Sequence, residues 1–189
     1  TAVSGLTFGN FFNACKNSMV MSRDGKTIVM TGLHWTNSAF KGVYWKLNSN
    51  NNWSANATID NAWGYSVDIS DDGNILIVGC GWEDNGGMTN NGVARVFTFN
   101  SGTWTLLATK YGEDSNDYFA YVTIAGSSVV GGNIRVAVSA TNGDAGATNS
   151  GETTVYTVTS DGFQRIVSEP TLTGEGGGDN LGVDIKLSQ

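Results

Sequence analysis

The sequence predicts an all-β chain, a β-propeller-like array of four-stranded antiparallel blades with about three full repeats and partial blades at both ends. Three observations carry this. Short runs of β-branched and aromatic residues alternate with clusters of Gly, Asn, Asp and Ser, and 26 glycines stand against one proline, Pro170. That mixture of strand formers and turn formers belongs to many short strands. No stretch sustains a helical period. Finally, the chain repeats itself: "SMVMSRDGKTIVMTG" (18–32) lines up with "SVDISDDGNILIVGC" (66–80), so that Ser22-Arg23-Asp24-Gly25-Lys26 falls on Ser70-Asp71-Asp72-Gly73-Asn74.

Each copy follows the same order of elements. The Asp-Gly dipeptide closes a hairpin between two strands, because glycine accepts the positive φ that tight turns need. "YVTIAGSSVVGGNIRVAVSA" (121–140) repeats strand, turn and strand with Gly131-Gly132 at the turn. A second hairpin then recurs as "KGVYWKLNSNNNW" (41–53), "VARVFTFNSGTW" (93–104) and "TTVYTVTSDGF" (153–163), each an alternating strand, a polar turn and an aromatic, Trp53, Trp104 or Phe163. In the second copy the strands are expected over 65–70, 74–80, 92–99 and 103–109, with a long loop at 81–91 and a turn at Ser101-Gly102. Within one domain of 1–189, the repeats run roughly 15–62, 63–117 and 118–179, and 1–14 and 180–189 are end fragments. Val183-Asp184-Ile185 echoes Val67-Asp68-Ile69, so a fourth copy begins there. A repeating unit of this kind matches a propeller blade, which buries its faces by stacking on neighbours.

Composition narrows the function. The net charge is −7 and the ten Lys and Arg residues are scattered, which excludes the clustered cations that nucleic acid requires. No apolar run has membrane-spanning length. Only 14% of residues are charged, and a surface of Asn, Thr, Ser and Gly suits an extracellular protein. The chain begins at Thr1, which is expected of a chain that has lost a leader or is a piece of a longer one. Cys15 and Cys80 fit no metal spacing; they are a disulfide pair for an oxidising compartment or two buried thiols.

Residues 63–107, "WGYSVDISDDGNILIVGCGWEDNGGMTNNGVARVFTFNSGTWTLL", resemble an FG-GAP repeat of the integrin-α type. The resemblance lies in the aromatic-Gly pair Trp63-Gly64, the strand and Asp-Gly turn, and Gly79-Cys80 in place of Gly-Ala. It continues through an acidic Gly/Asn loop, the strand Val93 to Phe99 and the closing Trp104. The first copy departs from it, with Cys15-Lys16 at the aromatic-Gly position and no acidic loop in "GLHWTNSAFKG" (32–42). The resemblance implies extracellular adhesion or structural proteins, mostly non-catalytic.

It also implies calcium loops. The oxygen donors for such a loop are Glu83, Asp84 and Asn85 in the second copy and Asn142 and Asp144 in the third, although neither completes a DxDxDG pattern. The acidic run "GEDSNDYF" (112–119) falls at a blade-to-blade crossing and is expected to be a solvated turn. His34, the single histidine, stands without the partners of a catalytic triad or a zinc site. "GCGWED" (79–84) and "GEGGGDNLG" (174–182) lack the third glycine and following helix of a dinucleotide loop. Asn52-Trp53-Ser54 and Asn56-Ala57-Thr58 are glycosylation sequons. Because Arg23 stands where the second copy has Asp71, the Asp71-Asp72 pair reads as a turn and its neighbour rather than as a catalytic or metal pair.

These readings converge on a non-catalytic extracellular module for structure or adhesion. Its partners are further copies or neighbouring repeats, joined head to tail into a fibre or tandem array by strand completion. Val183, Ile185 and Leu187 of one subunit would pair near Leu6 and Phe8 of the next. The alternatives are a lectin-like module that stacks glycans on exposed Trp35, Trp82 and Tyr111, and a glycoside-processing enzyme with paired carboxylates. No cofactor is implied beyond calcium.

Overall fold

The computed structural model of the chain describes residues 18–31, 33–34, 39–54, 57–126 and 133–188. Those residues form three antiparallel sheets and contain no helix. The first sheet comprises β1 (Ser18–Met21), β2 (Thr27–Thr31), β3 (Leu33–His34), β4 (Ala39–Lys46) and β5 (Ala57–Asp60). The second comprises β6 (Ser66–Ile69), β7 (Ile75–Cys80), β8 (Val93–Asn100) and β9 (Thr103–Tyr111). The third comprises β10 (Phe119–Ile124), β11 (Ile134–Ala140), β12 (Glu152–Thr159), β13 (Gly162–Arg165) and β14 (Leu172–Thr173). Each sheet is a meander, β1-β2-β4-β5, β6-β7-β8-β9 and β10-β11-β12-β13, with β3 extending the β2-β4 hairpin and β14 continuing along β12. The strands of the second copy thus begin and end within two residues of the positions expected from the sequence.

β7 explains how the sheets stack. Its sequence, Ile-Leu-Ile-Val-Gly-Cys, is apolar on both faces, and all six residues are buried. Successive side chains on a strand point to opposite faces. Ile75 and Ile77 accordingly join Val122, Ile124, Val136 and Val138 of the third sheet, while Leu76 and Val78 join Val29, Tyr44 and Ile59 of the first. On β8, Val96 faces the third sheet and Phe97 the first. A bulge lets Leu107 slip between the pairs Val96–Ala108 and Phe97–Leu106, adding local twist. Burying each large side chain such as Leu76, Ile77 or Phe97 contributes roughly 1.5–3 kcal/mol.

The hairpin turns repeat as closely as the strands. Ser22 Oγ donates to Asp24 Oδ1 at 2.6 Å, and Ser70 Oγ donates to Asp72 Oδ1 at 2.6 Å. The N–H groups of Lys26 and Asn74 donate to those same carboxylate oxygens at 3.0 and 3.1 Å. Gly25 and Gly73 close the turns with φ of 71° and 66°. Asp71 meets Arg23 across the sheets at 3.8 Å. Asp24 and Asp72 therefore serve the turns. Gly131-Gly132, the expected turn of the third copy, lies outside the described residues.

At the other end of each second strand, the next sheet leans in. Thr31 Oγ1 donates to the Gly64 carbonyl at 2.9 Å. At the equivalent residue, Gly79, an added Cβ would stand 1.7 Å from the Ala120 carbonyl oxygen. At Ser139, the third equivalent, the Oγ would be 2.6 Å from a Cβ added to Gly182. Gly79→Ala should therefore cost about 2–3 kcal/mol, since a backbone atom must move to admit the methyl. Gly102→Ala, in open space at φ 86°, should cost only about 1 kcal/mol of backbone strain. Urea unfolding of the two variants beside the parent checks the order.

Candidate functional site

The loops joining one sheet to the next are built alike. "GEDSNDYF" (112–119) and "GEGGGDNL" (174–181) share Gly-Glu, an Asp five residues after the Gly, and a closing apolar residue. Asp114 N–H donates to Asp117 Oδ2 at 2.8 Å, and Gly176 N–H donates to Asp179 Oδ2 at 2.7 Å. The residue after each Asp takes a left-handed backbone, at φ 52° for Tyr118 and 53° for Asn180; Asn61, after Asp60, does so at 62°. Asparagine tolerates that region, whereas a bulky aromatic there is strained. Tyr118 is thus held in a conformation its equivalents reach at lower cost.

Tyr118 borders an aromatic cleft between the second and third sheets. Tyr65, just before β6, and Tyr121, on β10, place their ring centroids 5.5 Å apart at 66°. Trp82, following β7, stands 5.5 Å from Tyr65 at 53°. With Thr141 these residues enclose about 210 Å³. Trp82 is 48% exposed. Gly81 makes the arrangement possible, because a Cβ there would lie 2.4 Å from the Tyr65 hydroxyl oxygen.

A charged pocket of about 240 Å³ lies where the first strands of the sheets approach one another, lined among others by Arg23, Asp68, Asp71 and Lys186. Asp68 links its walls. Its Oδ2 accepts from the Thr123 hydroxyl at 2.7 Å and the Ile124 N–H at 3.1 Å, and lies 3.5 Å from Lys186 Nζ. On the far side of the first two sheets, Lys46 Nζ donates to the Gly73 carbonyl at 2.8 Å and sits 4.1 Å from the centroid of the Phe99 ring. Burial pushes the Lys46 ammonium down against the pull of Asp24 and Asp72. Burial likewise pushes Asp72 up, but hydrogen bonds from Ser70 and Asn74, with the Lys46 charge, hold it below the usual carboxylate range.

The residues picked from the sequence as calcium donors do not converge. Glu83 grips Arg95 with both carboxylate oxygens, in a largely buried pair that Tyr111 Oη joins at 3.4 Å. Asp84 Oδ1 accepts from Asn90 N–H at 2.7 Å, and Asp144 Oδ1 accepts from Asn149 N–H at 2.7 Å, so both brace the backbone of matching loops. Asn85 bridges to Met88, and Asn142 N–H donates to the Asp117 carbonyl. Among the described residues no group of three or more His, Cys, Asp or Glu side chains gathers as for a metal ion.

The acidic run is exposed at Glu113, Asp114 and Asn116 as expected, and departs from that expectation at Asp117, which is buried beneath its loop with its side chain capping Asp114. Tyr111 is half-buried against Cys80 and Val93, and its hydroxyl lies 3.4 Å from Glu83. Cys80 is buried on β7. Asn52 is exposed in the turn closed by the Leu47–Trp53 bridge. Val183 is 57% exposed; Ile185 and Leu187 are half-buried in an irregular segment, with Leu187 N–H donating to Thr123 Oγ1 at 3.5 Å. His34 is on β3. Cys15, Asn56, Leu6, Phe8 and Trp35 lie outside the described residues.

Of the aromatic cleft, the sequence singled out Trp82 alone. Tyr65 and Tyr121 were missed, although both directly precede the matching Ser-Val and Val-Thr starts of their copies, which puts them side by side once the sheets stack. No protein-family model matches the chain, and no curated protein matches it in sequence. The class of protein rests on the fold itself, an all-β repeat array of three stacked antiparallel meanders.

Glu152, on β12, faces the crossing loop. Burial, and then the charges of Asp117 and Glu113, raise its carboxyl above the ordinary value of 4.5. A raised acid holds its proton more tightly when folded, so stability is lost as pH rises through that interval and the penalty is full above it. Glu152→Gln should therefore melt higher than the parent at neutral pH, with the advantage fading on acidification and absent below 4.5. Thermal melts across pH check it; an advantage that survives at low pH contradicts the assignment.

Proposed function

We propose that the chain is an FG-GAP-like propeller module of an extracellular protein, non-catalytic, and serving structure or adhesion through head-to-tail assembly. The supporting observation is the convergence of the first strands. Val122 N–H of β10 donates to Ser66 Oγ of β6 at 2.9 Å, and Ser18 Oγ of β1 donates to the Tyr65 carbonyl at the start of β6. Successive meanders arranged with their first strands together form blades around an axis. Residues 181–187 leave the third sheet through a loop (174–181) built like the one (112–119) that leads from the second sheet into β10, and Leu181 N–H donates to the Ser150 carbonyl as Phe119 N–H donates to that of Asn91. In this reading those residues begin another blade. Its remaining strands would come from neighbouring repeats or from a second copy.

A non-catalytic role agrees with how the charged side chains are used. Glu83 with Arg95, Arg135 with Glu169 and Lys41 with Asp60 form ion pairs within or beside the sheets. Asp68 accepts from the neighbouring sheet.

Negative-stain electron microscopy tests the assembly. The full chain is expected to form linear polymers, and deletion of residues 1–9 to leave single particles with unchanged circular dichroism. Polymers unaffected by the deletion, or a parent chain that stays monomeric at high concentration, would overturn the proposal.

A further inference from the structure

We infer that the cleft formed by Tyr65, Trp82, Tyr118 and Tyr121 is a binding site for a neutral carbohydrate. The rings of Trp82 and Tyr121 meet that of Tyr65 there, Tyr118 lines the same cleft, and Trp82 is half-exposed beside it. The aromatic face carries partial negative charge and pairs with the C–H-lined face of a sugar ring, while tyrosine hydroxyls are hydrogen-bond donors and acceptors. Thr141 belongs to the same lining. Among the described residues no carboxylate, ammonium or guanidinium lines the cleft, which suits an uncharged ligand. Hydroxyls around stacked rings match a polyol. A quaternary ammonium ion would use the rings and leave the hydroxyls without partners.

The backbone at Tyr118 is the independent sign that the cleft is built for use. At the equivalent crossings the left-handed residue is Asn61 or Asn180. Tyrosine at 118 adds strain, and what distinguishes this crossing is the ring it adds to the cleft wall. Gly81 points the same way, since its missing Cβ leaves room for both Tyr65 Oη and Tyr118 Cβ. The inference holds however the chain assembles, because every residue it uses comes from the second and third sheets.

The test is an array of neutral hexose and N-acetylhexosamine oligosaccharides probed with the full chain, followed by calorimetric titration of the retained glycans. Saturable binding is expected. Trp82→Ala should weaken it by roughly tenfold or more, as losing a stacking face does. Tyr118→Asn should weaken it too, while its thermal midpoint stays at or above that of the parent. Circular dichroism of both variants separates lost binding from lost folding. No retained glycan, binding that survives Trp82→Ala, or tighter binding of tetramethylammonium chloride at the cleft would each overturn the inference.

Discussion

The two-sided burial of β7 is the constraint on which the rest of the molecule depends. A sheet with one apolar face needs one partner; a sheet whose central strand is apolar on both faces needs two. Ile75 and Ile77 draw in the third sheet, and Leu76 and Val78 draw in the first. The stack then brings β1, β6 and β10 together at one edge, forming the Asp68 pocket. At one end of the sheets it brings Tyr65, Tyr121 and Trp82 together in the aromatic cleft.

Close stacking also dictates where small residues stand. Each second strand ends where the following sheet's backbone crosses it. The three positions hold Thr31, which donates to the Gly64 carbonyl, Gly79, which leaves room for the Ala120 carbonyl, and Ser139, for which Gly182 leaves room. The Ser-x-Asp-Gly turns are self-contained, with carboxylate and hydroxyl satisfying the local N–H groups. They tolerate Arg or Asp at the second position, and Arg23 and Asp71 use that freedom to pair across the sheets. The lone strained residue among the three sheet crossings, Tyr118, stands beside the cleft, where a local departure from the repeat has a use.

Much of this architecture was legible from the sequence because it is local. Strand boundaries in the second copy followed from alternating apolar residues and Gly-containing turns, and the internal repeat turned Asp71-Asp72 from a candidate site into a turn. What the sequence hid is pairing between distant residues. Glu83 looked like a metal ligand in its own loop; its partner Arg95 reaches it only across the β7-β8 connection. Asp117 looked solvated because a run of acidic residues normally is, yet its carboxylate turns inward to cap the loop, while the equivalent Asp179 caps its own loop from the exposed side. Tyr118 gave no signal at all, since the repeat position calls for asparagine and nothing in the local sequence announces a left-handed tyrosine.

The stacking account is tested most directly by native-state hydrogen exchange, resolved by residue. If the middle sheet is held on both faces, the amides of Leu76, Ile77 and Val78 exchange only through global unfolding, and more slowly than those of β5, β13 and β14 at the sheet margins. Exchange of the β7 amides at the rate of the marginal strands would contradict the account, because a strand buried on both faces cannot open locally without parting both of its neighbours.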